Sequence, residues 1–189
     1  RYIIISNPKA DKIASYIADG YILGRAVGRM EFGARALGNR SIIADPRKQE
    51  TVTIINRKIK NRDFWMPFTP SILKEDEEKY LDNPKGFQFP FMALACESTD
   101  AAKQELKAAL HPADFTVRPQ LVTEEMNKGY YDLIKAFREL TGVGGVLNTS
   151  LNIHGYPIVR TAKDAMEVLE QTDLDGMIFE KYLIVKNVN

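Results

Sequence analysis

The chain has 189 residues, 44% of them hydrophobic and 27% charged, with a formal net charge of +1. That is ordinary globular material with ample stock for one core, and no apolar run approaches the roughly 20 residues of a membrane helix. A single cysteine, Cys96, excludes an internal disulfide and suits a reducing, cytoplasmic compartment; with only two histidines it cannot make a zinc site of the usual kind.

In chain order, "RYIIISNP" starts without methionine and runs straight into a strand, as expected of a domain whose natural chain continues upstream. "NPKADKIASYIADG" predicts a helix, with Asn7 as N-cap, Pro8 at the first turn and Gly20 as the stop. "YILGRAV" and "SIIAD" read as strands flanking "GRMEFGARALGNRS". Val52, Ile55 and Ile59 give a helical stripe that carries Arg57, Lys58 and Lys60 near its end. "FWMPFTPSIL" is too proline-rich for a helix and reads as extended, and "KEDEEKYL" as a short acidic helix. Residues 83 to 113 give no clear pattern beyond the helical propensity of "AAKQELKAAL". "DFTVRPQLV" alternates as a strand with one unpaired edge at Pro119. "YYDLIKAFREL" is an amphipathic helix ending at Gly142, and "GGVLNTSLN" an apolar strand entering a polar turn. Thr161 and Asp164 form a capping box before "AKDAMEVLEQT", and "GMIFEKYLIVK" is a final strand or hairpin. Strands and helices mix without strict alternation, so residues 1–189 form a single mixed α/β (α+β) domain.

Charge is unevenly placed. Between Tyr21 and Arg62 there are ten basic and three acidic residues, a net of +7. A solvated basic face would account for such a run; so would an anion site. Arg25, Arg29, Arg35 and Arg40 sit among glycines, with Glu31 the lone carboxylate inside the loop. Glycines let a backbone approach a ligand, and arginines grip phosphate oxygens bidentately. In "DFTVRPQ", strand periodicity puts Asp114, Thr116, Arg118 and Gln120 on one face. In "NTSLN", Asn148, Thr149, Ser150 and Asn152 are short polar residues at a strand end, where α/β proteins commonly bind ligands, although such residues also build plain turns. There is no Rossmann fingerprint, no Walker lysine motif and no serine–histidine–acid signature. Any chemistry here works by orienting anions and stabilising charge.

Taken in order, "GRMEFGARALGNRSIIADPR", "NRKIKNRDFWMPFTPSIL", "DFTVRPQLV" and "GGVLNTSLNIHGYPIV" resemble the C-terminal domain of the nodulation- and antibiotic-type O-carbamoyltransferases, over essentially the whole chain. The resemblance implies a YrdC-like fold, a twisted mixed sheet flanked by helices. It implies a domain that makes carbamoyl-adenylate from carbamoyl phosphate and ATP, with Mg²⁺ accompanying the nucleotide through ligands that the sequence does not name. An N-terminal domain of actin-like ATPase fold, binding iron, would then transfer the carbamoyl group to an acceptor hydroxyl. On that reading Arg35, Lys60, Arg62 and Arg118 clamp the phosphates, Arg40 joins them, Asn148, Thr149, Ser150 and Asn152 hold the nucleotide, and Thr116 and Gln120 hold the carbamoyl amide. The chain departs from the pattern at Met66, where arginine is frequent. Alternatives of other kinds are an RNA-binding module, a threonylcarbamoyl-adenylate synthase, or a silent docking domain. The first lacks interleaved stacking aromatics, so nucleic acid is not the expected partner, and neither is a membrane.

Overall fold

The computed structural model describes residues 2–61, 63 and 65–187. Ten strands form among the described residues: β1 (Tyr2–Ser6), β2 (Leu23–Ala26), β3 (Arg40–Ala44), β4 (Thr69–Leu73), β5 (Leu81–Asp82), β6 (Glu97–Ser98), β7 (Gln120–Val122), β8 (Gly145–Ser150), β9 (Gly176–Ile178) and β10 (Tyr182–Lys186). Eight of them build one sheet in the order β1-β10-β9-β2-β3-β8-β4-β7, while β5 and β6 pair separately. Only β2–β9 and β4–β7 run parallel. The sheet is therefore mostly antiparallel.

Both faces are covered, because alternate residues on the central strands are apolar in both directions. Leu23, Ile43, Ile72 and Val146 face one core, under α1 (Ala10–Ala18) and α5 (Lys128–Thr141). Ile42, Leu147 and Met177 face the other, under α6 (Ala162–Gln171) and the segment 50–59. That segment begins as α2 (Glu50–Ile54) and widens into a π turn over Ile55–Ile59, closed by Lys60 N–H donating to Ile55 O at 2.8 Å. Ile55 and Ile59 are buried as the stripe predicts. The wider turn adds a residue before Lys60 and so changes where its side chain leaves the helix.

Helix ends follow local chemistry. Thr161 Oγ1 accepts from Asp164 N–H while the Asp164 carboxylate accepts from Thr161 N–H, the reciprocal box read in the sequence. Asn127 Oδ1 caps α5 by accepting from Tyr130 N–H, and Gly142, at φ 79°, ends it.

Two expectations need correction, and one open stretch is resolved. α1 starts at Ala10 behind Lys9, not at Pro8; Asn7 adopts φ 47° and breaks the chain between β1 and the helix. "DFTVRPQLV" is not one strand. Phe115 turns at φ 59°, Val117 makes an isolated bridge to Cys96, and regular pairing begins only at Gln120. The side chains from 114 to 120 therefore share no common face. The unpatterned stretch 83–113 carries β6 and α4 (Asp100–Glu105), which follows the Thr99 N-cap.

A candidate anion site beneath the glycine–arginine loop

The loop joining β2 to β3 is held from below by neutral and charged groups alike. Glu31 Oε1 accepts from the backbone N–H groups of Leu37, Asn39 and Arg40, at 2.7, 2.7 and 3.2 Å. Arg40 donates Nη1 to the carbonyls of Val27 and Asn39 and Nη2 to those of Gly28 and Arg160. Arg25 is buried, donates Nη1 to Gly38 O at 2.5 Å, and lies over the Tyr130 ring, 5.5 Å from its centroid. Burial holds the Arg25 pKa below the usual arginine value. At Gly38, φ is 112° and an added Cβ would lie 2.3 Å from Tyr130 Cδ1, so only glycine fits.

Two further clamps come from the sheet. Gln120 Nε2 donates to Leu37 O at 3.0 Å, and its Oε1 accepts from Ser71 Oγ–H at 2.7 Å. Asn148 Nδ2 donates to Ala36 O at 3.0 Å and to Ser71 Oγ at 2.9 Å. The loop is thus a preorganised bracket, with its carbonyls and amides tied before any ligand arrives.

Arg35 is exposed at the crown of this bracket. It lines a cavity of about 140 Å³ together with Arg118, Asn148, Thr149, Ser150 and Thr69, and the lining contains no Asp or Glu. Burial and the positive field of Arg35 together lower the Arg118 pKa, and Arg118 Nε is buried without a hydrogen-bond partner. Two cations face each other with no carboxylate between them. Such an arrangement is electrostatically unfavourable until an anion enters, and an entering phosphate meets forked donors already aimed inward.

Ser150 continues into a second feature. Lys60 is 3% exposed and its Nζ donates to Ser150 O, Ser150 Oγ and Asn152 Oδ1 at 2.5, 2.9 and 2.7 Å. Asn152 Nδ2 donates to Tyr156 O at 2.7 Å. Asn152 and Tyr156 line a larger cleft of about 510 Å³ against α6, walled by Ile153, Ile158 and Val168 with Asp164 and Glu167 at its polar side. The polar turn after β8 thus borders both cavities, and Lys60 braces it from inside.

The predicted site residues divide accordingly. Arg35, Arg118, Asn148, Thr149 and Ser150 meet at one cavity. Asn152 lines the neighbouring cleft. Thr116 stands on the other side of Arg118, in a cavity of about 120 Å³ with His111, its hydroxyl donating to Asp114 Oδ1 at 2.8 Å. The Thr116 amide and hydroxyl, donating to the Asp114 carboxylate, hold its pKa below the usual range. Arg40 and Gln120 are buried and their polar groups bind the loop backbone, so both support the site from behind rather than lining it. Arg62 lies outside the described residues. Pro67 and Phe68 line the anion cavity, whereas Met66 lines a separate cavity beside Trp65, and its carbonyl accepts from Asn56 Nδ2. Glu31, Arg25 and Ser71 were not singled out as site residues; the one carboxylate among four arginines was the sequence signal for Glu31.

The chain matches the family described as "Carbamoyltransferase C-terminus" over residues 14–186. It belongs to that family. Nodulation protein NolNO of Sinorhizobium fredii is 43% identical over 178 residues, 94% of this chain and 26% of that protein. The 3'-hydroxymethylcephem-O-carbamoyltransferase of Amycolatopsis lactamdurans is 30% identical over 168 residues, 89% of this chain and 31% of that one. The carbamoyltransferase C-terminal chain therefore spans between a quarter and a third of these relatives. Among solved structures, E. coli YciO superposes with a TM-score of 0.61 at 14% identity, covering 92% of this chain and 79% of that one. Full-length HypF, in its phosphate- and nucleotide-bound form, gives 0.59 at 16%, covering 100% and 23%. These likenesses establish the YrdC-like fold. No helix among the described residues is long and apolar enough to cross a membrane.

Proposed function

We propose that this domain activates a carbamoyl group as carbamoyl-adenylate, for transfer to an acceptor hydroxyl by an N-terminal domain of the full protein. The carrying observation is the carboxylate-free cavity in which Arg35 and Arg118 converge beside Asn148, Thr149 and Ser150. Membership of the carbamoyltransferase family supports a carbamoyl substrate, and the cavity's charge suits its phosphate.

The reaction balances as follows. Carbamoyl phosphate and one water give carbamate and inorganic phosphate. A carbamate oxygen then attacks the α-phosphorus of ATP; the bond to the β-phosphate bridging oxygen breaks and pyrophosphate leaves. Bringing two polyanions together is the principal obstacle, and it is met by fixed cations and donors rather than by a nucleophilic side chain. Arg35 and Arg118 hold phosphoryl oxygens, and the Thr149 hydroxyl donates beside them. The larger cleft bordered by Asn152 and Tyr156 has room for a nucleoside, so the nucleotide straddles the turn that Lys60 braces. Mg²⁺ would accompany the nucleotide and neutralise part of its phosphate charge, while the described residues offer no cluster of three or more His, Cys, Asp or Glu to hold it themselves.

Product identity tests this. The chain is incubated with ATP, Mg²⁺ and carbamoyl phosphate, and nucleotides are resolved by mass spectrometry. Carbamoyl-AMP, or AMP from its hydrolysis, is expected only when carbamoyl phosphate is present. ADP as the product, or AMP formation indifferent to carbamoyl phosphate, would contradict the reading.

A further inference from the structure

Asn148 does two things at once. A backbone carbonyl can only accept, so the branch of its amide that faces Ala36 O is the NH₂ group, and that same group donates to Ser71 Oγ. The orientation of the side chain is thereby fixed. Its oxygen, Oδ1, is left without a hydrogen-bond partner on a residue only 1% exposed, and that residue lines the anion cavity. An unpartnered buried acceptor is costly in a folded protein, and it becomes favourable when a ligand brings a donor.

The other side chains of the lining do not discriminate in this way. Arginines only donate. Thr69 Oγ1–H is directed to Met92 Sδ at 3.3 Å. The Ser150 hydroxyl is already engaged, donating to Asn152 Oδ1 at 2.7 Å and accepting from Lys60 Nζ, whereas the Thr149 hydroxyl can donate or accept and so accommodates either kind of ligand atom. Gln120, the residue that the sequence favoured for an amide, has both ends of its side chain engaged, at Ser71 and at Leu37. Thr116 faces a different cavity. Among the described residues of the lining, Asn148 alone has a buried acceptor atom with no hydrogen-bond partner.

We infer that Asn148 selects the carbamoyl group: its Oδ1 accepts a hydrogen bond from the carbamoyl NH₂ while Arg35 and Arg118 hold the attached phosphate. This rests on the carbamoyl-activating reading of the site and assigns a specificity determinant within it. The consequence is discrimination against acetyl phosphate, which has the same anionic group and nearly the same shape but a methyl where the NH₂ would be. A methyl group leaves Oδ1 unpaired, and sites built to satisfy a ligand donor reject analogues that lack it.

The experiment is calorimetric titration of the chain with carbamoyl phosphate and with acetyl phosphate, without ATP, so that no turnover is required. The wild-type chain is expected to prefer carbamoyl phosphate by a factor on the order of ten or more, the range that follows from leaving one buried acceptor unpaired. Asn148→Ala should bring that ratio close to one. Asn148→Asp retains an acceptor but adds a negative charge and loses the NH₂ that donates to Ala36 O, so it should keep the preference while weakening both ligands. Loss of folding would weaken both ligands together, whereas the inference concerns their ratio. Equal binding by the wild type, binding of neither ligand, or an unchanged ratio in folded Asn148→Ala would overturn it. The wild-type comparison decides if the alanine variant fails to fold. A preserved ratio without carbamoyl-AMP formation would instead count against the adenylation reading alone.

Discussion

Replacing Arg118 by alanine should remove phosphate binding and leave the fold in place. The side chain is half-buried, its Nε has no partner, and its guanidinium lies in the field of Arg35 in a cavity without a carboxylate. In the free chain its charge is therefore a liability, and what it contributes to stability is the packing of its stem. Removing it should change unfolding free energy by no more than about 1 kcal/mol in either direction, or roughly 2–4 °C in Tm for a domain of this size. With ligand the balance reverses. A charge-assisted hydrogen bond is worth about 1.5–3 kcal/mol, so the loss of one such contact should weaken inorganic phosphate or carbamoyl phosphate roughly 10- to 150-fold. Calorimetric titration reads the affinity and a thermal melt reads the fold. Undiminished phosphate binding by the folded variant would refute the assignment. A Tm loss beyond about 10 °C would show that the arginine is structural, like Arg40.

Other outcomes follow from the same geometry. Gly38→Ala places a Cβ against the Tyr130 ring at a backbone conformation that L-residues disfavour, and should cost about 3 kcal/mol or more by urea denaturation. Lys60→Met removes the ammonium that binds Ser150 and Asn152, and should destabilise by roughly 2 kcal/mol and speed amide hydrogen exchange across residues 150–156. Burial raises the Asp175 pKa above its unfolded value, so the folded state binds the extra proton and stability falls as pH rises from about 4 through the folded pKa. Asp175→Asn, which keeps an acceptor for Ile22 N–H, should accordingly melt higher than wild type at pH 7, with the difference vanishing near pH 4.

Local signals carried far in this chain. The capping box at Thr161 and Asp164, the amphipathic helix closed by Gly142 and the short apolar strand at "SIIAD" all depend on neighbours a few residues apart, and each forms as expected. The convergence of Arg35 with Asn148, Thr149 and Ser150 was accessible because a loop of cations and a polar strand end are separate sequence features that the sheet brings together, β3 lying against β8. What sequence could not show was which polar groups would already be occupied. Gln120 reaches Leu37 across 83 positions and Asn148 reaches Ala36 across 112, and no periodicity encodes such pairings. The alternation of "DFTVRPQLV" misled for a related reason. Pairing to Cys96 and a left-handed Phe115 bend the segment, so that Thr116 lines the cavity beside His111, Arg118 borders both that cavity and the anion cavity, and Gln120 turns inward. Arg40 follows the same pattern: four carbonyls that converge only in the folded loop take up its guanidinium.

The most direct test is pyrophosphate release from ATP and Mg²⁺, measured with and without carbamoyl phosphate, for the wild-type chain and for a variant carrying Arg35→Ala and Arg118→Ala together. The account predicts release by the wild type that requires carbamoyl phosphate, and none by a variant that melts like the parent. Equal release by the two proteins would contradict the placement of the reaction in this cavity. Wild-type release that ignores carbamoyl phosphate would contradict the chemistry itself.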